Sequence, residues 1–220
     1  MKTYELTITG RMPMLMHHDN IEWSDAMDEW KADAQNKKTS KAGDDRSPAF
    51  RWIGAHYHDG QFVCIPTQNI SKCLMEGAAM VPVPGAKGSK TFKAQTQSGM
   101  AFSEAFAALR VHGNVVPWED IASLMDEKDF KVHQKRAADL GFMLYMKRAK
   151  IGMTKHIRVR PRFDNWSLST RFNVFDEQLT PKVLTEIASY AGTYKGLGDW
   201  RPGGKTPGPW GTFDATVTEV

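Results

Sequence analysis

The chain has 220 residues, 41% hydrophobic and 25% charged. These values lie near globular averages, so it is expected to bury a core as one generous domain or one compact domain with insertions, and disorder throughout is excluded. The net charge of +4 is mild but uneven: between 19 and 33, Asp19, Glu22, Asp25, Asp28, Glu29 and Asp33 face Lys31 alone, whereas between 131 and 162 ten bases face Asp139 alone. Apolar runs fall far short of the ~20 residues of a membrane span, and Met1-Lys2-Thr3-Tyr4-Glu5 has no apolar leader core, so a cytoplasmic protein without a membrane partner is expected.

Tyr4, Leu6 and Ile8 alternate with Thr3, Glu5, Thr7 and Thr9, the period of a half-buried strand. Met12, Met14 and Met16 flank Pro13 and read as core-facing or interface residues. Trp23, Ala26, Met27, Trp30 and Ala34 recur at helical spacing, with an acidic outer face. Residues 35–48 lack periodicity and read as an exposed loop. Gln61 to Ile65 form a brief strand closed by Pro66, and Ile70, Cys73, Leu74, Gly77 and Ala78 place a helix over 68–80. Residues 81–93, with Lys87, Lys90 and Lys93, read as a flexible basic loop. Phe102, Phe106 and Leu109 suggest another helical turn or two, and 119–140 a peripheral helical stretch.

In the second half Ile157, Val159, Pro161 and Phe163 alternate with Arg158, Arg160 and Arg162, and Trp166, Leu168, Thr170, Phe172 and Val174 continue the period as a second strand or one long bent strand. Thr180-Pro181 is an N-cap followed by proline at the first helical position, opening a helix with Val183, Leu184, Ile187 and Ala188 as its stripe and Gly192 as its end. Phe213, Ala215 and Val217 give a closing strand. Two helices on one face of an antiparallel sheet satisfy this order, an α+β fold of ferredoxin-like, RRM-like type with large insertions at about 11–60 and 81–150. Cys64 and Cys73 read as small buried hydrophobes, because their spacing builds neither a disulfide framework nor a zinc site.

Three features could carry chemistry. The stretch from Gly196 to Gly211 holds six glycines, with Trp200, Arg201, Lys205 and Trp210 among them; glycines allow close backbone approach and anion-binding nests, cations supply charge and indoles supply stacking faces. It lacks a Walker pattern, and an irregular connection with inward tryptophans is the alternative. Arg158, Arg160 and Arg162 would project from one strand face roughly 6.5–7 Å apart, near the phosphate step of an extended single strand. Lys147, Arg148, Lys150 and Lys155 lie just upstream; a solvated face paired with acids elsewhere is the other reading. The third feature, Pro66 to Lys72, brings a helix N-terminus together with Ser71 and Lys72.

The segment Ile65-Pro66-Thr67-Gln68-Asn69-Ile70-Ser71-Lys72-Cys73-Leu74 resembles the strand-to-helix element of the RAMP superfamily, the RRM-derived backbone subunits of CRISPR effector complexes, and Gly196 to Phe213 resembles that superfamily's C-terminal glycine-rich loop. The chain also resembles small phage and prophage proteins that share the Leu15-Met16-His17 segment and Gly196-Leu197-Gly198-Asp199-Trp200-Arg201-Pro202. Thr67-Gln68-Asn69 replaces the family's small residues. The resemblance implies that Lys72 and the loop around Arg201 touch nucleic-acid backbone, that the insertions reach a neighbouring subunit or strand, and that copies assemble as an oligomer or filament, with other subunits of a ribonucleoprotein as further partners.

The expectation is therefore a non-enzymatic, cofactor-free protein that binds single-stranded nucleic acid, RNA or ssDNA, along a basic sheet face and the glycine-rich loop. One rival is a metal-dependent nuclease using His17-His18-Asp19 and His56-Tyr57-His58-Asp59, although the second run departs from the metallo-hydrolase spacing. The other is a structural phage protein meeting an acidic partner.

Overall fold

A computed structural model describes residues 1–36, 44–46, 49–151 and 153–220. In chain order the elements are β1 (Lys2–Gly10), β2 (Met14–Leu15), α1 (Ile21–Ala32), α2 (Phe50–Ile53), β3 (Cys64–Pro66), α3 (Thr67–Ala78), α4 (Lys93–Ser98), β4 (Met100–Phe102), β5 (Phe106–Ala108), β6 (Arg110–Val111), β7 (Asn114–Val115), α5 (Trp118–Ala122), α6 (Phe130–Asp139), β8 (Met143–Ile151), β9 (Thr154–Phe163), β10 (Trp166–Val174), α7 (Pro181–Tyr190), a π-helical turn (Ala191–Lys195) and β11 (Phe213–Glu219). It is a mixed α/β structure with antiparallel sheets. No described helix is long and apolar enough to cross a membrane.

The chain divides into two units. The first takes Met1–Met14, Cys64–Val115 and Asp164–Val220, and the second Leu15–Val63 and Val116–Phe163. The two segments of the second unit are separated in the chain by Cys64–Val115, which groups with the first unit.

In the first unit β1 is central, paired antiparallel with β10 on one side and β11 on the other, and β4 and β6 both add to β10. Alternation does the sorting: Tyr4, Leu6, Ile8, Leu168, Thr170, Phe172 and Phe213 are buried, and an apolar side chain of this size contributes roughly 1.5–3 kcal/mol when fully covered. The helices α3 and α7 pack on each other, and α7 packs on β11. They approach closely because Gly77 has no side chain, a Cβ there falling 2.8 Å from the Ile187 carbonyl oxygen. Thr180 caps α7, its hydroxyl accepting from the Val183 N–H at 3.4 Å.

Three expectations need correcting. Phe102 and Phe106 lie in strands β4 and β5, not a helix, because β10 and β3 supply partners far away in sequence. Gly192 does not end α7: the chain continues through the π-helical turn to Gly196, at φ 67, and Gly192 is small because a Cβ would meet the Phe213 carbonyl oxygen at 2.1 Å. Most of the expected 35–48 loop lies outside the described residues, but Asp44 and Asp45 are buried at 7% and 6% exposure, against an exposed reading. Met14 and Met16 are buried while Met12 is 41% exposed. Cys64 and Cys73 are buried thiols; burial pushes the Cys73 thiol up to about 12, and its Sγ donates to the Gly196 carbonyl at 3.2 Å.

The second unit is organised on aromatics. Phe142 and Phe163 lie 5.2 Å apart, the His56 ring is 5.6 Å from Phe142, and the Trp52 Nε1–H donates to His133 Nδ1 at 3.0 Å. Over this core β8 and β9 form a long hairpin, Met143 opposite Arg162 through Ile151 opposite Thr154, with β2 on the other edge of β9.

Candidate nucleic-acid interface

Directly opposed residues of an antiparallel pair share a face. One face of the β8–β9 hairpin therefore carries Tyr145 with Arg160 and Lys147 with Arg158, and the other carries Arg148 with Ile157 and Lys150 with Lys155. Lys147, Arg148, Lys150 and Lys155 are exposed. Like charges directly opposite each other destabilise a strand pair by roughly 0.2–1 kcal/mol. Lys147 with Arg158 and Lys150 with Lys155 are the two such oppositions in the hairpin register.

Toward the base of the hairpin the arginine row is handled differently. The Asp45 N–H donates to the Ile157 carbonyl at 2.9 Å, which pins this acid beside β9. Its carboxylate, 8% exposed, lies 3.5 Å from the guanidinium of Arg158, of Arg160 and of Arg51, the last supplied by α2. Arg46 grips neighbouring Asp44 through Nε, 3.0 and 3.1 Å from its two oxygens, and Arg51 donates to the Asp44 carbonyl oxygen at 2.6 Å. Three cations share this one carboxylate. This cluster lines a cleft of about 350 Å³, with Asp19, Asp28 and Trp23 also on its lining. Arg158 and Arg160 thus belong to a built, partly neutralised cluster and not to a bare row. Arg162 lies further down the strand, opposite Met143.

Five of the glycine N–H groups in the glycine-rich loop are already paired. The N–H groups of Gly196, Gly203, Gly204, Gly208 and Gly211 donate to the carbonyls of Ala191, Lys195, Arg201, Arg201 and Pro13. Arg201, with 19% of its side chain exposed, donates to Glu76 Oε2 and to the Lys195 carbonyl, both at 3.2 Å. Trp200 has a left-handed backbone, φ 51, and its ring lies where a Cβ on Gly208 would stand, 2.3 Å from Cδ1. At Gly211, φ 72, a Cβ would fall 1.8 Å from the Leu197 oxygen. The glycines therefore serve the loop's packing upon itself, which corrects the expectation of an open nest; Lys205 remains exposed.

Of the other expected contacts, Lys72, Lys87, Lys90 and Lys93 are exposed and Ser71 is half-buried, all in the first unit. The first N–H of α3 donates to the Ala105 carbonyl at 2.9 Å, so that end of the helix is already partly satisfied. The expected basic sheet face is not on the central sheet. There the outward register reads Thr7 opposite Ser169 and Thr216, Thr9 opposite Ser167 and Asp214, and Glu5 opposite Arg171 and Thr218. That surface is rich in hydroxyls, with Arg171 3.8 Å from Glu5. The predicted residues divide between the units: Lys147, Arg148, Lys150, Arg158, Arg160 and Arg162 in the second, the rest in the first. Asp45 and Arg51 escaped sequence reasoning, since two adjacent acids in a polar run and one base in a short helix carry no signal of their own.

The histidines are mostly packed into the second unit. His56 is fully buried, its Nδ1 3.0 Å from the Ile53 carbonyl, and burial lowers its pKa to about 4. His58 stacks flat on Trp118 at 3.8 Å and 4°, and burial, then the neighbouring His18, hold it below the ordinary imidazole value. His17 Nε2 lies 3.6 Å from Asp19. Among the described residues no three His, Cys, Asp or Glu side chains group to hold a metal ion. Comparison with protein-family models found none that matches, and comparison with curated proteins found no match.

Proposed function

We propose that this chain is a non-enzymatic protein binding single-stranded nucleic acid, RNA or ssDNA, with the β8–β9 hairpin as its principal phosphate-binding arm. The observation that carries the reading is the like-charge opposition of Lys150 with Lys155, in a ribbon that also exposes Lys147 and Arg148. A strand that brings phosphates to this ribbon relieves the repulsion and releases its own counterions, so affinity is electrostatic and sequence preference weak.

We further propose a RAMP-like build. The strand order β11, β1, β10, β4, with α3 and α7 as the helices, supports a ferredoxin-like core, β4 and β6 sharing the place of the fourth strand. In such a build the second unit is the elaboration that reaches the strand, copies assemble along it, and Lys72, Lys87, Lys90, Lys93 and Lys205 add secondary contacts.

Fluorescence polarisation with labelled oligouridylate, oligothymidylate and duplex DNA tests this. The single strands are expected to bind more tightly than the duplex, with little preference between homopolymers. No binding at low salt, or binding confined to the duplex, would overturn the reading.

A further inference from the structure

We infer that the cleft walled by Arg51, Arg158 and Arg160 is a site for one terminal phosphate monoester, carried by a free nucleotide or by a strand end; the strand-end case rests on the function proposed above. Around Asp45 the three guanidiniums lie at 3.5 Å from a carboxylate that is 8% exposed. Asp45 can accept little more than it already does. It holds the three side chains in place and cancels one of their charges. Guanidinium forks match phosphate oxygens in geometry; Arg158 at 40% and Arg51 at 24% side-chain exposure remain partly open, while Arg160, at 13% and donating to the Val159 carbonyl, mainly backs the wall. The cleft volume of about 350 Å³ suits a single nucleotide.

The acidic part of the lining decides between an end and a through-running strand. Asp19 and Asp28, at 97% and 77% side-chain exposure, line the same cleft, Asp28 paired at 3.0 Å with Lys31, which is also on the lining. A continuous backbone would carry further phosphates past the exposed Asp19 carboxylate and be repelled, whereas one dianion seated on the arginines is not forced against it. Trp23, also on the lining and half-buried, offers an indole to the nucleoside of that same nucleotide.

Calorimetric titration with AMP, adenosine and inorganic phosphate tests the free nucleotide. Polarisation with oligouridylates bearing a 5′-phosphate, a 3′-phosphate or neither tests the strand end. AMP is expected to bind at least tenfold more tightly than adenosine, or one phosphorylated end at least tenfold more tightly than the unphosphorylated strand. R158Q, which leaves Asp45 with Arg51 and Arg160, is expected to remove that preference with only a small drop in melting temperature. R51Q carries more structural risk because it also loses the bond to Asp44, so the exposed double variant D19N/D28N serves as the other probe, with tighter phosphate binding expected. Strands that bind regardless of their ends, together with AMP no better than adenosine, would overturn the terminal site and leave the hairpin reading standing. Loss of strand binding with AMP still held through Arg158 would do the reverse.

Discussion

The glycine-rich loop of the first unit and the β8–β9 hairpin are similar as stretches of sequence, both cationic and both suited to phosphate, yet the structure treats their charges in opposite ways. In the loop, Arg201 is bound to Glu76 and to the Lys195 carbonyl, and five glycine N–H groups are spent on carbonyls. In the hairpin, Lys150 is set opposite Lys155, and Lys147, Arg148, Lys150 and Lys155 stand exposed. A charge that a fold satisfies internally serves stability. One that it sets opposite its like costs stability, and that cost points to an external partner.

The largest expected effect would break this comparison on the loop side. G211A puts a Cβ 1.8 Å from the Leu197 oxygen at a left-handed backbone position and is expected to cost about 4 kcal/mol in urea unfolding. A variant as stable as the parent would mean that the loop is slack enough to act as an open nest. Next comes the triple variant R158A/R160A/R162A, which strips Asp45 of two of its three cations. It is expected to lose about 3 kcal/mol, and adding D45N should restore much of that. The triple variant therefore reports on folding as much as on binding, and the four exposed hairpin bases are the cleaner probe.

The third test concerns the base on which the arm stands. Folded His56 titrates near pH 4 and the unfolded residue near 6.5, so as pH falls through this window the unfolded chain takes up the proton first. Stability is expected to be fully present above pH 6.5 and to fall by roughly 3 kcal/mol by pH 4. H56F should flatten that slope; an unchanged slope would assign the acid sensitivity to other groups. The smallest effect is the most diagnostic. K150E turns a like-charge opposition with Lys155 into an attractive one and is expected to raise stability by about 0.5 kcal/mol while weakening strand binding.

Much of the framework was legible in the sequence. The alternation of β1, β9, β10 and β11 and the stripes of α3 and α7 are local patterns, and local patterns survive folding. The strands β4 and β5 were not legible, because Phe102, Phe106 and Leu109 are spaced like a helical face and only β10 and β3, distant in sequence, decide otherwise. Gly192 read as a stop because glycine usually ends helices, whereas here close approach to Phe213 requires it. The arginine alternation was visible, but its pairing was not: Asp45 lies more than a hundred positions before Arg158, in a polar run that gave no reason to bury it. The second unit, joined from two separated segments, is non-local in the same sense.

The most direct measurement is the salt dependence of oligouridylate binding for the parent, for K147A/R148A/K150A/K155A and for K205A, each checked for an unchanged melting temperature. With about 0.7 of logarithmic slope per phosphate contact on a single strand, the hairpin variant is expected to lose about 2 to 3 units of slope and most of its affinity at low salt, and the loop variant less than one. An intact slope in the hairpin variant, with the loss appearing in the loop variant, would contradict the assignment of the arm.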